Sequence, residues 1–594
     1  MNYPQSRKIN VAVADRRKHD LSHYHVGTID FGYIKPIECR YMVPGDEFKI
    51  NILNETRVLN AMPSPTIGEF DVIYRQFFVP INSVWSPFYD FLKNQPYAVA
   101  GETMLVNSAP YISLFDLINY VINIDLGFVQ VSGSSTEGSY DFMLHQTTPS
   151  VSDIYYKWTK KGRIMVNFLT SLGINIPWGT NISDATNNVN LYIVLPLTCF
   201  WKFYYDWIVP SRFVRKHQYY IQKFIKILES NPNQPKVNIG TFFDYLLNEP
   251  LCYYLDDIFT SSTLYPFQSD ETLNASINIP NQSSGGDVVA SRQPSDETNG
   301  AYTYGSPFNM YTLETLGKLQ DMLNRQLLVG SKVQDWLLSE FGIRPNDDAL
   351  HLSTYLGSKR TGLAVQDVIS NADTLSANGE TGTPLGAYAG YVRNNNELSF
   401  GYKAKEHGFY FITYELVPKT SYYQGLQAQF DLGDRFDFFQ PEFDNQQGEP
   451  IPFKRLFFAH NNGIRQTLQR YNQPFGHGLQ YSDLKVATDV LSGDFRTRYG
   501  LQLKSWFLSR DMSYISEPNN HINGIDEEFC LVKSKYQDWH YIFSDRTDEL
   551  DPFLVAFKIR INAMRPMKSI TEGFEPTYKN SGKDINLPMQ GAVK

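Results

Sequence analysis

The feature that most constrains the fold is strand-like sequence at both ends of the 594-residue chain. From Val555 to Asn562, large apolar residues alternate with smaller or polar ones, which is typical of a strand with one buried face. Residues 25–80 also read as strands and turns, and the weaker alternation from Phe70 to Phe77 indicates a segment covered on both faces. Because helices and polar loops separate the two regions, we expect a sheet whose first and last strands are neighbours.

Composition supports a mainly β interpretation. Phe, Tyr and Trp make up 15% of the chain, and these side chains favour pleated, half-buried surfaces and protein interfaces. The four cysteines, Cys39, Cys199, Cys252 and Cys530, stand apart without a CxxC spacing. We therefore expect them to be small reduced apolar side chains, and we expect no zinc site.

Helical patterns, most of them with a serine able to cap the first turn, lie between the two strand regions. The predicted helices are Ser83–Asn94, Ser113–Ile122, Ser152–Leu172, Pro196–Pro210, Thr312–Leu328 and Ser331–Phe341. Three polar stretches, 127–150, 178–190 and 266–309, are predicted to be loops. The last is unusually long for a connection inside a compact domain, so we expect it to be functional or mobile.

Charge is distributed unevenly. The whole chain carries a formal net charge of −9, which argues against a globally basic nucleic-acid-binding protein. Residues 1–18 are nevertheless basic, with a single acidic residue, Asp15. The basic residues are Arg7, Lys8, Arg16, Arg17 and Lys18. We predict that they bind nucleic-acid phosphates, and a disordered, solubilising terminus is the alternative.

No motif predicts catalysis or cofactor binding. Gly357–Gly362 has the glycine spacing of a phosphate-binding loop, but the next residue is Leu363 and the required lysine is missing. We interpret it as a basic loop. The aspartate pairs at 256–257 and 347–348 are expected to cap turns or face solvent, and the aromatic run from Trp201 to Trp207 is expected to be core or subunit interface. The sequence predicts no enzyme.

Histidines 19, 23 and 25 form the one histidine cluster in the sequence. A metal site would need their imidazoles to converge with a further ligand. We interpret them as structural, with phosphate-binding or hydrogen-bonding roles as the alternative, and we predict no metal.

The sequence shows no signal for export or membrane insertion. Its most apolar stretch, Leu191–Tyr205, is interrupted by Pro196 and Lys202 and is too short to span a bilayer. The N-terminus lacks the apolar core of a signal peptide. We therefore expect synthesis in a cytoplasm. A β-rich carbohydrate-binding or glycosidase-like protein would also explain strands and aromatic residues, but it predicts a signal peptide and a carboxylate pair.

Short motifs occur in a fixed order along nearly the whole chain. They include Gly32–Pro36, Val43–Phe48, Phe77–Pro80, Leu195–Leu197, Tyr355–Gly357, Pro384–Gly386, Glu406–Gly408, Tyr422–Gly425, Pro441–Phe443, Asp551–Leu554 and Arg565–Met567. In this order they resemble the major capsid proteins of the Microviridae, small icosahedral single-stranded-DNA bacteriophages, and most closely the gokushovirus-like branch.

The resemblance implies a mainly β fold, a single eight-stranded antiparallel jelly roll of the viral capsid type with long helical and loop insertions. Residues 1–24 would be a basic arm and residues 25–594 the jelly-roll domain. Copies would assemble through pentamers into a T=1 shell around a circular single-stranded DNA genome. The virion would be assembled in the bacterial cytoplasm. The implied partners are other copies, the genome, a small DNA-binding protein, a pilot protein, a scaffolding protein and a host surface receptor.

The 266–309 insertion is acidic, with Arg292 as its one basic residue. Such a segment is poorly suited to face a genome and suits an outward position. The resemblance implies that it projects at the threefold axes and contributes to host attachment. A mobile loop without a partner and an element needed for assembly are the alternatives.

Overall fold

The computed structural model describes part of the chain, and the architecture below refers to that part. The described residues are 16–99, 102–114, 116–117, 128–131, 142–148, 151–158, 160–174, 180–181, 191–230, 235–238, 240, 249–264, 290–291, 303–304, 318, 322, 333–343, 352–369, 388–391, 393–444, 447–457, 471–496, 503–512, 524–535, 537, 539–544 and 551–567.

Strands dominate the described residues. In chain order they are β1 (Arg17–Asp20), β2 (His23–Ile29), β3 (Ile34–Met42), β4 (Glu47–Val58), β5 (Glu69–Pro80), β6 (Pro96–Val99), β7 (Glu102–Leu105), β8 (Tyr111–Ser113), β9 (Phe128–Val131), β10 (Phe142–Thr148), β11 (Val151–Trp158), β12 (Thr180–Asn181), β13 (Leu191–Ile193), β14 (Ala290–Ser291), β15 (Thr303–Tyr304), β16 (Thr354–Ala364), β17 (Gln366–Ile369), β18 (Tyr388–Tyr391), β19 (Arg393–Lys403), β20 (Gly408–Pro418), β21 (Gln447–Pro452), β22 (Pro474–Leu479) and β23 (Phe553–Arg565).

Helices are fewer and mostly short. They are α1 (Phe88–Lys93), α2 (Lys160–Ser171), α3 (Leu195–Phe203), α4 (Val214–Ser230), α5 (Val333–Phe341) and α6 (Glu527–Cys530), and a π-helical turn, Tyr204–Ile208, follows α3 directly. Short 3₁₀ turns occur at Ile81–Ser83, Ala428–Phe430, Pro441–Phe443, Phe453–Arg455, Ser482–Leu484, Gly493–Arg496, Lys504–Trp506 and His540–Ile542.

Two antiparallel sheets form the centre of the protein. In the first sheet, β23 pairs on one side with β4, which pairs with β19, and on the other side with β2 and β1. The second sheet has the order β16-β5-β20-β3. Along the chain, β2, β4, β19 and β23 belong to the first sheet, whereas β3, β5, β16 and β20 belong to the second. The mainly β prediction is confirmed.

The two ends of the described chain meet in the first sheet. In β2, His23 pairs with Ile559 and Ile29 pairs with Phe553 of β23. Strand β1 pairs with the rest of β23, as far as Arg565. The prediction that the first and last strands are neighbours is therefore confirmed. The alternation is confirmed as well, because every second side chain of β23 from Phe553 to Ala563 is buried.

The inner faces of the two sheets pack through aromatic side chains. Tyr414 of β20 lies 5.1 Å from Phe557 of β23 between ring centroids, and its hydroxyl is 2.9 Å from the hydroxyl of Thr56 in β4. Phe70 of β5 contacts Phe553 of β23 at 6.2 Å. These contacts join both sheets in one buried apolar cluster, which is the arrangement that a two-layer sandwich requires.

The second sheet is also covered on its outer side, by helix α3. The ring of Phe203 stacks on Phe77 of β5, with centroids 4.3 Å apart, and packs against Phe411 of β20 at 5.1 Å. Because both faces are covered, β5 and β20 are buried almost throughout. This confirms the prediction of a strand without clean alternation at Phe70–Phe77, and it places the aromatic run around Trp201 in the core.

Three helix predictions are confirmed at least in part. Helix α1 lies within Ser83–Asn94 and α5 within Ser331–Phe341, while α3 and the π-helical turn cover most of Pro196–Pro210, with α3 beginning one residue earlier at Leu195. Gly342 ends α5 with φ +66°, a conformation that favours glycine. The predicted helix Thr312–Leu328 lies outside the described residues except for positions 318 and 322.

Two local predictions were wrong. The first half of the predicted helix Ser152–Leu172 is strand β11, and helix α2 begins at Lys160. The β-branched and aromatic residues of β11 favour a strand, and β11 pairs with both β9 and β10. Gly357–Gly362 is not a loop but the middle of β16, where Gly357 has φ +127° at a bulge against β5.

The predicted loops contain some strand. Strands β9 and β10 occupy the two ends of 127–150 and pair with β11, while residues 132–141 lie outside the described residues. In 178–190 the described part is β12, which pairs with β10. In 266–309 the described parts are β14 and β15, which pair with each other as Ala290 with Tyr304 and Ser291 with Thr303.

A cluster of ionisable side chains connects Asp30, which follows β2, to Lys533 and His540, which precede β23. The carboxylate of Asp30 accepts hydrogen bonds from the Phe31 amide at 2.8 Å and the Lys533 ammonium at 2.7 Å, and it lies 2.8 Å from His540 Nε2. Burial alone would raise the pKa of Asp30, but the His540 hydrogen bond and the Lys533 charge lower it well below its usual value.

We predict that Asp30→Asn destabilises the fold, because it leaves the half-buried Lys533 ammonium without its counterion and removes the carboxylate that His540 contacts. The expected loss in unfolding free energy at neutral pH is ~3 kcal/mol. Since the pKa of Asp30 is lowered on folding, its contribution is present above about pH 4, the usual aspartate value, and is lost as the pH falls further. The difference in unfolding free energy between the unaltered protein and Asp30→Asn should therefore shrink as the pH falls below this value.

Unfolding measured by circular dichroism across pH tests this prediction. Asp20→Asn is the matched control, because Asp20 is exposed and accepts its hydrogen bonds from Ser22 alone among the contacts described. Asp20→Asn should leave the midpoint of unfolding unchanged. Equal effects of the two substitutions at neutral pH would contradict the role given to Asp30.

Candidate contact surfaces

The predicted basic arm is partly described. Arg7 and Lys8 lie outside the described residues. The guanidinium of Arg16 donates to the Gly45 carbonyl and lies 3.6 Å from the Glu47 carboxylate. Arg17 and Lys18 belong to β1, where they pair with Arg565 and Met564 and are exposed. The structure thus places two of the predicted phosphate-binding residues at the surface of the first sheet and ties the third to the loop before β4.

Lys18 shares the outer face of the first sheet with other basic residues. Side chains alternate across a strand, so strand register identifies the members of this face. Lys49 of β4 is opposite Asn562, and Lys558 is opposite both Tyr24 and Leu53. The basic residues are Lys18, Lys49, Arg57, Lys403, Lys558 and Arg560, and the acidic ones are Asp20, Glu47, Glu55 and Glu397. We call this surface the basic face.

The basic face also exposes apolar and aromatic side chains. Tyr24 is 68% exposed and Val26 is 63% exposed, and the Lys558 ammonium lies 5.6 Å from the centre of the Tyr24 ring. Two of the acids are offset by neighbours, since Arg57 pairs with Glu55 and Arg16 approaches Glu47. The alternation in the sequence predicts that Lys558 and Arg560 point outward. That they share one face with Lys18 of the arm follows only from the strand pairing.

Two histidines of the cluster, His23 and His25, make contacts within the subunit. His23 Nε2 lies 3.1 Å from Glu38 Oε2, and the hydrogen bond to Glu38 raises the pKa of His23. His25 Nδ1 contacts the Ile37 carbonyl at 3.0 Å, and burial together with the nearby Lys35 charge lowers the pKa of His25 to about 4. Within the described ranges, no group of three or more His, Cys, Asp or Glu residues has the geometry of a metal site.

Asp257 caps a turn, as predicted. One carboxylate oxygen accepts from the amides of Phe259 at 2.9 Å and Thr260 at 2.7 Å. The other accepts from the Tyr422 hydroxyl at 2.7 Å. The first two contacts stabilise the 255–260 turn itself, and the Tyr422 contact holds the turn against the segment after β20. The pair at 347–348 lies outside the described residues.

A second exposed surface was missed in the sequence analysis. Residues 428–444, which we call the phenylalanine loop, expose Phe430, Phe436, Phe438 and Phe439, each between 42% and 72%. Nearby on the surface, Leu484, Val486 and Val490 are exposed as well. The only sequence signal was the dense run of Phe and Asp at 436–439, which has neither a strand nor a helix period.

Tyr481 fixes the conformation of the phenylalanine loop. Its hydroxyl lies 3.1 Å from the Phe436 carbonyl and accepts a hydrogen bond from the Gln440 amide at 3.1 Å. Tyr481 itself has φ +61°, which is costly for a residue with a side chain. Its amide donates to Glu449 at 2.6 Å. Burial and the neighbouring Asp483 raise the pKa of Glu449 to about 7.

Beside the loop lies a recess of about 400 Å³. Its walls are mainly apolar and include Ile258, Phe259, Leu426, Leu484 and Val490. Arg455 also lines it. The Arg455 side chain is 11% exposed and uses Nη2 to reach Asp483 at 2.9 Å and Asp431 at 3.5 Å. Its Nε and Nη1 atoms are buried without a hydrogen-bond partner among the described residues.

No described helix is both long and apolar enough to cross a membrane.

Comparison with known proteins gives a consistent result. The family model described as "Capsid protein (F protein)" matches residues 7–112 and 283–573, more than half of the chain. Every strand of the two central sheets lies within these matched residues, whereas helices α2, α3 and α4 lie in the unmatched segment between them.

Three relatives carry the name "Capsid protein VP1". The protein of Chlamydia phage 1 is 24% identical over 202 residues, which is 34% of this chain and 33% of that protein. The protein of Spiroplasma virus 4 is 25% identical over 182 residues, 30% and 31% of the two chains. The protein of Bdellovibrio phage phiMH2K is 23% identical over 207 residues, 33% and 37%. The alignments thus span about a third of each relative.

The family match, the antiparallel sheets within it and the agreement of all three relatives lead to one conclusion: the chain belongs to the capsid protein family of the Microviridae.

Proposed function

We propose that this protein is a structural virion subunit that self-assembles into a T=1 icosahedral shell enclosing a circular single-stranded DNA genome. The observation that carries the proposal is the match to the capsid protein family over both sets of sandwich strands. Assembly proceeds through pentamers in the bacterial cytoplasm, with a scaffolding protein, a pilot protein and a small DNA-binding protein as partners. The protein acts by contact and has no catalytic role.

We further propose that the two central sheets form a single eight-stranded jelly roll. Two features support this topology. Strands β2, β23, β4 and β19 face strands β3, β20, β5 and β16 across one core, and the chain passes from sheet to sheet between most successive strands. Jelly rolls pack two antiparallel sheets in this way and tolerate long insertions in their connecting loops.

The basic face and the arm are the proposed contact with the genome. Lysine and arginine bind phosphate by releasing counterions, without reading sequence. Repetition of Lys18, Lys49, Lys558 and Arg560 around a shell concentrates positive charge on one side of an otherwise acidic subunit. Tyr24 adds an exposed ring on which an unpaired base can stack.

The 266–309 insertion is the proposed contact with the host receptor. Its acidic composition opposes a genome-facing position. Within this segment, β14 pairs with β15 and brings Ala290 close to Tyr304.

We predict that the full chain, expressed with the other structural proteins of its phage, forms closed isometric particles that are visible by negative-stain electron microscopy. Heterologous contacts between copies of one chain close into a shell when the rotation between copies permits it. A chain that stays monomeric with all partners present would contradict the proposal.

We predict that replacing Arg7, Lys8, Arg16, Arg17 and Lys18 by Gln lowers the DNA content per particle, because fewer phosphates are neutralised. The double substitution Lys49→Gln with Arg560→Gln should act in the same direction if the basic face takes part. The absorbance ratio of purified particles at 260 and 280 nm measures the DNA content.

The matched control for these basic residues is Lys93→Gln with Lys419→Gln, since both lysines are exposed and lie outside the basic face. It should leave the DNA content unchanged. Arg16→Gln also removes contacts to Gly45 and Glu47, so the thermal midpoint must be checked for the arm variant. Unchanged DNA content in both test variants would refute the genome contact.

We predict that replacing residues 268–305 by a short Gly-Ser linker leaves shells that form and hold DNA but no longer adsorb to the host. A surface insertion contributes little to the core, so its removal should not unfold the subunit. Adsorption and plaque assays measure the effect. Full infectivity would exclude the attachment role, and loss of all shells would identify the segment as an assembly element instead.

A further inference from the structure

The phenylalanine loop presents apolar area that the described part of the chain does not cover. Four phenylalanines and three aliphatic residues are exposed within two adjacent segments, 428–444 and 484–490. Scattered exposed apolar residues need no explanation, whereas a contiguous group of large ones marks a contact surface. Aromatic side chains are also enriched at the centres of protein interfaces.

The loop is fixed to its own subunit at several points, and its first two residues, Ala428 and Gln429, line the recess. The Tyr481 hydroxyl fixes the backbone at Phe436 and Gln440, and the ammonium of Lys485 pairs with Asp444 at 2.7 Å. The ammonium of Lys454 pairs with Asp431 at 2.5 Å at the other end of the loop. A loop fixed at three points is preorganised, so a partner that binds it loses little conformational freedom.

The recess has a size and a lining that suit a phenylalanine-rich segment. Its apolar walls suit phenylalanine rings, and its volume of about 400 Å³ is in the usual range for a binding pocket. Arg455 lines it, and the buried Nε and Nη1 atoms of this side chain lack an acceptor among the described residues. Buried donors of this kind are costly unless an acceptor arrives, and a carboxylate is the preferred one for a guanidinium.

The phenylalanine loop also carries the complementary charge. Its acidic residues are Asp431, Asp434, Asp437, Glu442 and Asp444, against Arg435. Asp431 and Asp444 are paired within the subunit, while Asp434 and Glu442 are exposed. One surface thus combines projecting phenylalanines with exposed carboxylates. Beside them lies an apolar recess lined by Arg455, whose Nη2 is paired within the subunit and whose Nε and Nη1 lack an acceptor among the described residues.

We propose that the phenylalanine loop of one copy of this chain seats in the Arg455 recess of a second copy. The phenylalanines fill the apolar walls, and a loop carboxylate accepts hydrogen bonds from Arg455. Each copy carries both halves of the contact, so the same pair of surfaces can join successive subunits. The inference rests on the proposed function, which makes other copies the natural partner, and it names the surfaces that meet.

Cross-linking tests the contact directly. Cysteine is introduced at Phe430, Phe436 or Phe438 in one preparation and at Val486 in another, and the two full-length preparations are mixed and mildly oxidised. A disulfide needs Cα atoms about 4.4 to 6.8 Å apart, so a mixed dimer on a non-reducing gel reports close approach between copies. Background is low, because Cys199, Cys252 and Cys530 are buried and Cys39 is half-buried.

The matched control is Phe341→Cys mixed with Val486→Cys. Phe341 is 61% exposed and lies at the end of α5, outside the loop and the recess. We expect a dimer band from at least one loop position and none from the control. No band from any of the three loop positions, or bands of equal strength in the control, would overturn the proposal.

Assembly gives a second measurement. Phe430→Ser with Phe438→Ser removes apolar area at exposed positions, so the fold and its thermal midpoint should be unchanged. The fraction of chain that sediments as shells should fall at least tenfold, while Phe341→Ser should assemble normally. Normal assembly of the double variant would overturn this contact and leave the proposed function standing. If the unaltered chain forms no shells, the proposed function fails, and the cross-link still decides whether the two surfaces meet.

Discussion

The structure depends on the position of the last strand, β23, in the middle of the first sheet. Its 13 residues pair with β4 on one side and with β2 and β1 on the other. The first sheet is therefore incomplete until residues 553–565 are in place. The Asp30 cluster reinforces this closure, because it connects the turn after β2 to Lys533 and His540 shortly before β23. The cost of closing so long a loop grows slowly with length, by about 0.6 kcal/mol per doubling, which explains how the insertions are tolerated.

Closure of the sandwich determines which surfaces remain for contacts. Helix α3 covers the second sheet through Phe203, so that sheet cannot serve as an open face. The first sheet keeps one bare face, and its exposed positions are where the basic residues lie. The phenylalanine loop lies between β20 and β21 in the chain, and the residues that line the Arg455 recess belong to neither central sheet. The proposed genome contact and the proposed subunit contact thus use separate parts of one scaffold, and a substitution in one can leave the other intact.

Sequence patterns predicted the elements whose environment is regular. Alternation from Val555 to Asn562 identified β23 because one of its faces is buried and the other is not. The pattern misled at Ser152, where a capping serine was given more weight than the β-branched and aromatic residues that follow it. Pairing of this segment with β9 and β10 decides that case, and a capping pattern carries no information about strand pairing. The same limit explains the missed recess. The burial of Arg455 and the exposure of Phe438 depend on how separate loops pack, and both run against the usual tendency of Arg to be exposed and of Phe to be buried.

Hydrogen–deuterium exchange in the free and assembled subunit tests the central claim most directly, namely that β23 closes a stable sandwich that carries exposed contact surfaces. The account predicts that the amides of β4 and β23 are strongly protected in both states, since each strand pairs on both sides. The phenylalanine loop should gain protection only on assembly. Exchange of β23 in the free subunit as fast as that of the phenylalanine loop would contradict the account.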